Sequence, residues 1–134
     1  MTDKALLECA IEARKASYSP YSGFKVGAAL LTKSGKVYLG CNIENAAYTP
    51  TNCAERTAIF KAVSEGEREF EAIAIVGGKG EEPNAICAPC GVCRQVLAEF
   101  CDADFRIVLG TPSDSKAYTL AQLLPLSFGK NDLQ

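Results

Sequence analysis

The sequence predicts an α/β protein built on one mixed sheet with helices on its faces. Three observations carry this. The N-terminal segment repeats its apolar residues at helical spacing, two apolar β-prone runs flank a Lys-Ser-Gly turn, and short apolar strands then alternate with helical segments.

Thr2 to Ser17 reads as an amphipathic helix, with Ala5, Leu6, Cys9, Ala10 and Ala13 on one face and Lys4, Glu8, Glu12 and Lys15 outside. Ser19-Pro20-Tyr21-Ser22-Gly23 stops it. Phe24 to Leu31 and Val37 to Asn42, joined by Thr32-Lys33-Ser34-Gly35-Lys36, form an antiparallel hairpin. A polar connection follows, in which Thr51 or Asn52 is placed to cap a helix from about Cys53 to Glu65. Ala72 to Val76 is an almost wholly apolar strand of the kind covered on both faces. Pro89 suits the first turn of a helix running from Cys90 to Phe100, where its missing N–H costs nothing. Ile107 to Leu109 makes a further strand, Ala117 and Tyr118 a short fifth, and Leu120 to Leu124 a helical turn closed by Pro125.

The 134 residues suit one domain, 1–134, large enough to bury a core without disulfides. No apolar run reaches the roughly 18 residues needed to span a bilayer, and the N-terminus lacks the pattern of a signal peptide, so a soluble, cytoplasmic protein with no membrane partner is expected. A formal charge of −2 with scattered Lys and Arg argues against a polynucleotide partner.

Histidine is absent and cysteine occurs 7 times. Any proton carrier working near neutrality must then be a carboxyl, thiol, amine or phenol, and any transition-metal site must rest on thiolates or carboxylates. An odd cysteine count also leaves no complete disulfide framework.

Cys90 and Cys93 stand one turn apart at a predicted helix start, where both sulfurs can share a metal. Cys53-Ala54-Glu55, at another predicted helix start, adds a third thiolate and a carboxylate. Three thiolates leave one tetrahedral position open, where zinc activates water near neutral pH. Two other readings use Cys87: a redox pair in Cys87-Ala88-Pro89-Cys90, or a closed four-sulfur zinc or iron–sulfur centre with Cys53, Cys90 and Cys93. Against the second, Cys87 precedes Pro89 in an extended segment, so its sulfur should diverge from the pair. Cys9, Cys41 and Cys101 read as buried apolar fillers.

A ligand residue, one spacer, Glu, and then Pro-Cys-x-x-Cys is the known zinc deaminase signature, matched by Cys53-Ala54-Glu55 and Pro89-Cys90-Gly91-Val92-Cys93. Together with Tyr21-Ser22-Gly23-Phe24-Lys25-Val26-Gly27-Ala28, Asn42-Ile43-Glu44-Asn45-Ala46 and Arg56-Thr57-Ala58, nearly the whole chain resembles the short, homotetrameric cytidine deaminases. The resemblance implies a three-layer α/β/α sandwich with a mixed five-stranded sheet, one zinc ion per subunit and hydrolysis of cytidine and 2′-deoxycytidine to uridine and 2′-deoxyuridine with release of ammonia. It gives Glu55 the proton transfers between water, ring nitrogen 3 and the departing amine, and Arg56 hydrogen bonds to the thiolates. It places Asn42 and Glu44 on the ribose, Phe24 on the pyrimidine face, backbone groups of Ala54 and Ala88 on the base edge, and Phe128 in a neighbouring subunit's site. A deaminase of a nucleoside antibiotic such as blasticidin S fits the same metal motif; Asn42 and Glu44 favour a plain ribose. Arg94 is left between a surface cation and a structural or subunit contact.

Overall fold

A computed structural model describes residues 1–134. The elements run α1 (Asp3–Arg14), β1 (Lys25–Thr32), β2 (Val37–Cys41), α2 (Ala54–Ser64), β3 (Phe70–Gly78), α3 (Gly91–Phe100), β4 (Arg106–Thr111), β5 (Asp114–Thr119) and α4 (Leu120–Leu123), with a 3-10 turn at Lys130–Leu133. The five strands lie in the order β2-β1-β3-β4-β5. Only the β3·β4 pair is parallel, with Ala72 opposite Arg106 and Ile75 opposite Leu109; the others are antiparallel, so the sheet is mixed as expected.

Both faces of the sheet are covered, because the central strands are apolar on both sides. Leu6, Leu7 and Ala10 of α1 pack on Ala29, Leu31, Ala74, Val76 and Val108. On the opposite face, Ala58, Ile59 and Ala62 of α2 and Leu97 of α3 meet Ala28, Leu30, Ile73, Ile75 and Ile107. These are the three layers of an α/β/α sandwich.

Two glycines let the helices approach this closely. A methyl group at Gly27 would collide with the Ala10 carbonyl oxygen and lie 2.5 Å from the Arg14 amide nitrogen, so α1 rests directly on β1. At Gly40 it would collide with the Ala54 carbonyl oxygen and lie 2.6 Å from the Ala58 nitrogen, which seats the start of α2 on β2.

Several boundaries differ from the sequence reading. The Thr2 hydroxyl accepts from the Ala5 amide at 3.1 Å, making Thr2 a cap outside α1, and the helix ends at Arg14, before Ser17. Thr51 and Asn52 do not cap α2: Cys53 occupies the cap position, and the Asn52 amide donates to the Thr57 hydroxyl instead. Pro89 precedes the cap residue Cys90 and so lies outside α3. β3 extends to Gly78, and β5 covers Asp114–Thr119. No helix is long and apolar enough to cross a membrane.

Candidate metal centre

The cap positions of α2 and α3 carry Cys53 and Cys90, both in extended backbone (φ −75, ψ 156 and φ −68, ψ 169), and neither side chain caps its own helix. The sulfurs are thereby free to turn toward a common point in front of the two helix N-termini. Cys93, on the first turn of α3, is buried and completes the group. The three Sγ atoms lie within 4.8 Å of one another, and Cys53 Sγ is 3.8 Å from Cys90 Sγ. A tetrahedron with zinc–sulfur bonds of about 2.3 Å has edges of about 3.8 Å, so the trio fits zinc. All seven cysteines are free thiols.

The Cys87 sulfur lies outside this group. It sits against Gly77, where an added methyl would be 2.9 Å from it and 3.0 Å from the Phe24 ring. The four-sulfur centre is therefore not formed: the extended segment before Pro89 turns this thiol toward β3. Burial pushes the Cys87 thiol up to about 12, the reverse of what a reactive redox pair needs. Cys9, Cys41 and Cys101, expected to be buried, are half-buried; Cys101 packs at the edge of the core and its thiol is raised to about 12 by that desolvation.

Within the trio, the hydrogen bond from Cys93 lowers Cys53 to about 5, with Arg56 adding to the effect. The same bond raises Cys93. Arg56 Nη2 donates to Cys53 Sγ at 3.3 Å. Its Nε is buried without an acceptor.

Glu55, on the first turn of α2, is only 4% exposed. Burial, with the Cys53 charge beside it, raises its carboxyl to about 7, so the group can both hold and yield a proton near neutrality. It lines a cavity of about 170 Å³ together with Asn42, Cys53, Ala54, Cys87 and Ala88. Thr51 is shared between this cavity and a cleft of about 280 Å³ bounded by Tyr21, Ser22, Glu44 and Tyr48.

Glu44 Oε1 accepts from the Tyr21 and Ser22 amides at 2.9 and 3.1 Å, and the Ser22 hydroxyl donates to Oε2. That hydroxyl above all holds the Glu44 carboxyl below its usual range. Asn42 is more committed than the sequence suggests. Its oxygen accepts from the Ser17 hydroxyl and the Val26 amide, and Nδ2 donates to the Phe24 carbonyl at 2.8 Å. Only the second Nδ2 hydrogen remains for a ligand, so the residue meets a ligand oxygen as a donor.

Phe24 is half-buried and lies with Cys87 against Gly77, and it does not itself line the cavity. Phe128 is 60% exposed and lies outside the cavity of its own subunit. The sequence reading missed Tyr21, Ser22, Thr51 and Tyr48 as lining groups. The signal for Ser22 was present: a hydroxyl and successive amides in one turn form a ready carboxylate cradle.

A family profile described as the cytidine and deoxycytidylate deaminase zinc-binding region matches residues 1–110, a span holding all three sulfurs and Glu55. The chain belongs to this deaminase family. It is 52% identical over 123 residues to a cytidine deaminase of Sporosarcina psychrophila, covering 91% of this chain and 88% of that one. It is 50% identical over 134 residues to a cytidine deaminase of Halalkalibacterium halodurans, covering 99% and 98%. A crystal structure of cytidine deaminase from Burkholderia pseudomallei superposes with a TM-score of 0.87 at 50% identity, covering 96% of this chain and all of that one. Membership in the deaminase family brings a zinc-binding region, for which the sulfur trio is a group able to hold the ion, and makes the five-stranded α/β sheet the deaminase fold.

Proposed function

We propose that this chain, acting as one catalytic domain over residues 1–134, hydrolyses the exocyclic amine of cytidine and 2′-deoxycytidine to give uridine, 2′-deoxyuridine and ammonia, a step of pyrimidine salvage. The observation that carries this is the convergence of three sulfurs in front of two helix N-termini, beside a buried carboxyl two residues from one of them. The deaminase family membership supports the same reaction.

Cys53, Cys90 and Cys93 hold the metal. When bound, zinc supplies Lewis-acid activation of water near neutral pH. Glu55 accepts a proton from the attacking water, delivers it to nitrogen 3 of the pyrimidine, and then carries a second proton to the departing amine. Its burial suits this two-way traffic, because desolvation raises the carboxyl above its ordinary value and so favours taking up the proton. Arg56 offsets the excess negative charge of the thiolates. Glu44 accepts from a sugar hydroxyl, Asn42 donates to a sugar oxygen, Phe24 packs on the ring, and the backbone at Ala54 and Ala88 meets the base edge.

The same proposal places the protein in the cytoplasm, where seven cysteines that form no disulfide stay reduced. It takes a free nucleoside rather than a polynucleotide, in keeping with a net charge of −2. It assembles as a homotetramer in which Phe128 enters a neighbouring site; the exposed apolar side chains of Ile86, Leu126 and Phe128 support association.

The test is purified protein with cytidine, followed by uridine formation and ammonia release, with Glu55→Ala as control. Turnover by the parent and its collapse in a zinc-loaded variant are expected. Turnover of blasticidin S without any cytosine nucleoside would move the chain to the antibiotic reading.

A further inference from the structure

Arg94 follows the third sulfur ligand and has no carboxylate partner. Its backbone amide continues α3 by donating to the Cys90 carbonyl at 2.9 Å. Its guanidinium turns the other way. Nε donates to the Pro89 carbonyl at 2.7 Å, and Nη1 donates to the Leu123 carbonyl at 2.6 Å, at the end of α4.

The Pro89 carbonyl belongs to the peptide unit that joins Pro89 to Cys90, so fixing it fixes the plane from which the Cys90 side chain departs. Cys90 has no other brace of this kind: its side chain caps nothing, and the position after it is an open glycine. Only Cys93 and Leu97 of α3 are buried, so packing alone holds the helix start weakly. Leu123, by contrast, lies in a segment anchored to the core by Leu120 and by the Thr119–Gln122 capping box. The next residue repeats the tie, since Gln95 Nε2 donates to the Phe128 carbonyl at 2.8 Å.

We propose that Arg94 is a positioning residue for the metal centre: it clamps the Pro89–Cys90 peptide to the end of α4 and thereby slows loss of zinc. The rigid guanidinium fork suits two carbonyls on different segments, whereas a lysine ammonium is a point donor on a flexible stem. The inference rests on Cys53, Cys90 and Cys93 being the zinc ligands.

The experiment measures zinc release from the native protein to excess chromogenic chelator, well below the melting temperature, for the parent, Arg94→Met, Arg94→Lys and Val96→Ala. Val96, also on α3 and half-buried, reports general loosening of the helix. Arg94→Met is expected to release zinc about 10-fold faster or more, the size typical of outer partners of metal ligands. Arg94→Lys is expected to fall between it and the parent, and Val96→Ala to match the parent. Parent-like release from folded Arg94→Met overturns the proposal, as does equal acceleration in Val96→Ala. Should Arg94→Met not fold, Arg94→Lys decides: faster release supports the clamp and unchanged release overturns it. A parent protein that holds no zinc by metal analysis overturns the ligand assignment and the clamp together, which separates that failure from a failure of Arg94 alone.

Discussion

Arg56 and Cys53, three residues apart at the start of α2, are joined by a guanidinium-to-sulfur hydrogen bond of 3.3 Å, while the buried Arg56 Nε has no acceptor at all. Three thiolates around a divalent cation leave a net charge of about −1, which works against ionising water there. The guanidinium is the positive side chain in direct contact with the cluster. Arg56→Ala is therefore expected to keep the fold and to weaken zinc affinity or turnover by about 10 to 100-fold, checked by competition with a metal indicator and by uridine formation.

Glu55→Ala removes the buried carboxyl and leaves the sulfurs untouched. Zinc content by metal analysis should equal the parent's, while turnover falls by on the order of 10² to 10⁴-fold. A zinc-loaded variant with the parent's rate would assign the proton transfers to another group.

Glu44 offers a pH test whose sign is fixed. Hydrogen bonds from Ser22 and the Tyr21 amide depress its carboxyl pKa, so the group protonates at a lower pH than an ordinary carboxyl. Ser22→Ala takes away the largest lowering influence, so the acidic rise of KM should begin at a higher pH than in the parent. Steady-state kinetics across mildly acidic buffers, with denaturation excluded by circular dichroism, checks this.

Gly40 tests the seating of α2. Its Cβ would collide with the Ala54 carbonyl, in the turn that carries Glu55. Gly40→Ala should cost about 1 to 3 kcal/mol in urea unfolding, typical of overpacking, and lower Tm by roughly 3 to 10 °C. Because the collision is at the helix start, turnover per folded molecule should also drop.

The strands and the sulfur trio were legible because each is written locally: β1 and β3 as apolar runs, Cys90 and Cys93 as residues one helical turn apart. What stayed hidden depends on contacts distant in sequence. Arg14, which the periodicity of α1 places on neither face, is 4% exposed and donates to the carbonyls of Lys25, Gly78, Gly80 and Glu81. Leu7 was left off the buried face for a similar reason, since α1 meets four strands and buries a wider stripe than its own periodicity marks. Thr51 and Asn52 are good capping residues by type, but the chain turns into α2 only at Cys53, and the Asn52 amide has a better partner in Thr57. Asn42 was assigned by type to a ligand, while most of its amide braces β1.

With Cys53, Cys90 and Cys93 as its proposed ligands, at the starts of two helices with β3 between them in sequence, the ion would tie chain segments that are far apart along the backbone, in the manner of a removable cross-link. Chelation should then be felt unequally. The α2 start remains wedged on β2 through Gly40, whereas α3, with two buried residues, loses one of its few fastenings and should be the first helix whose amides exchange with deuterium.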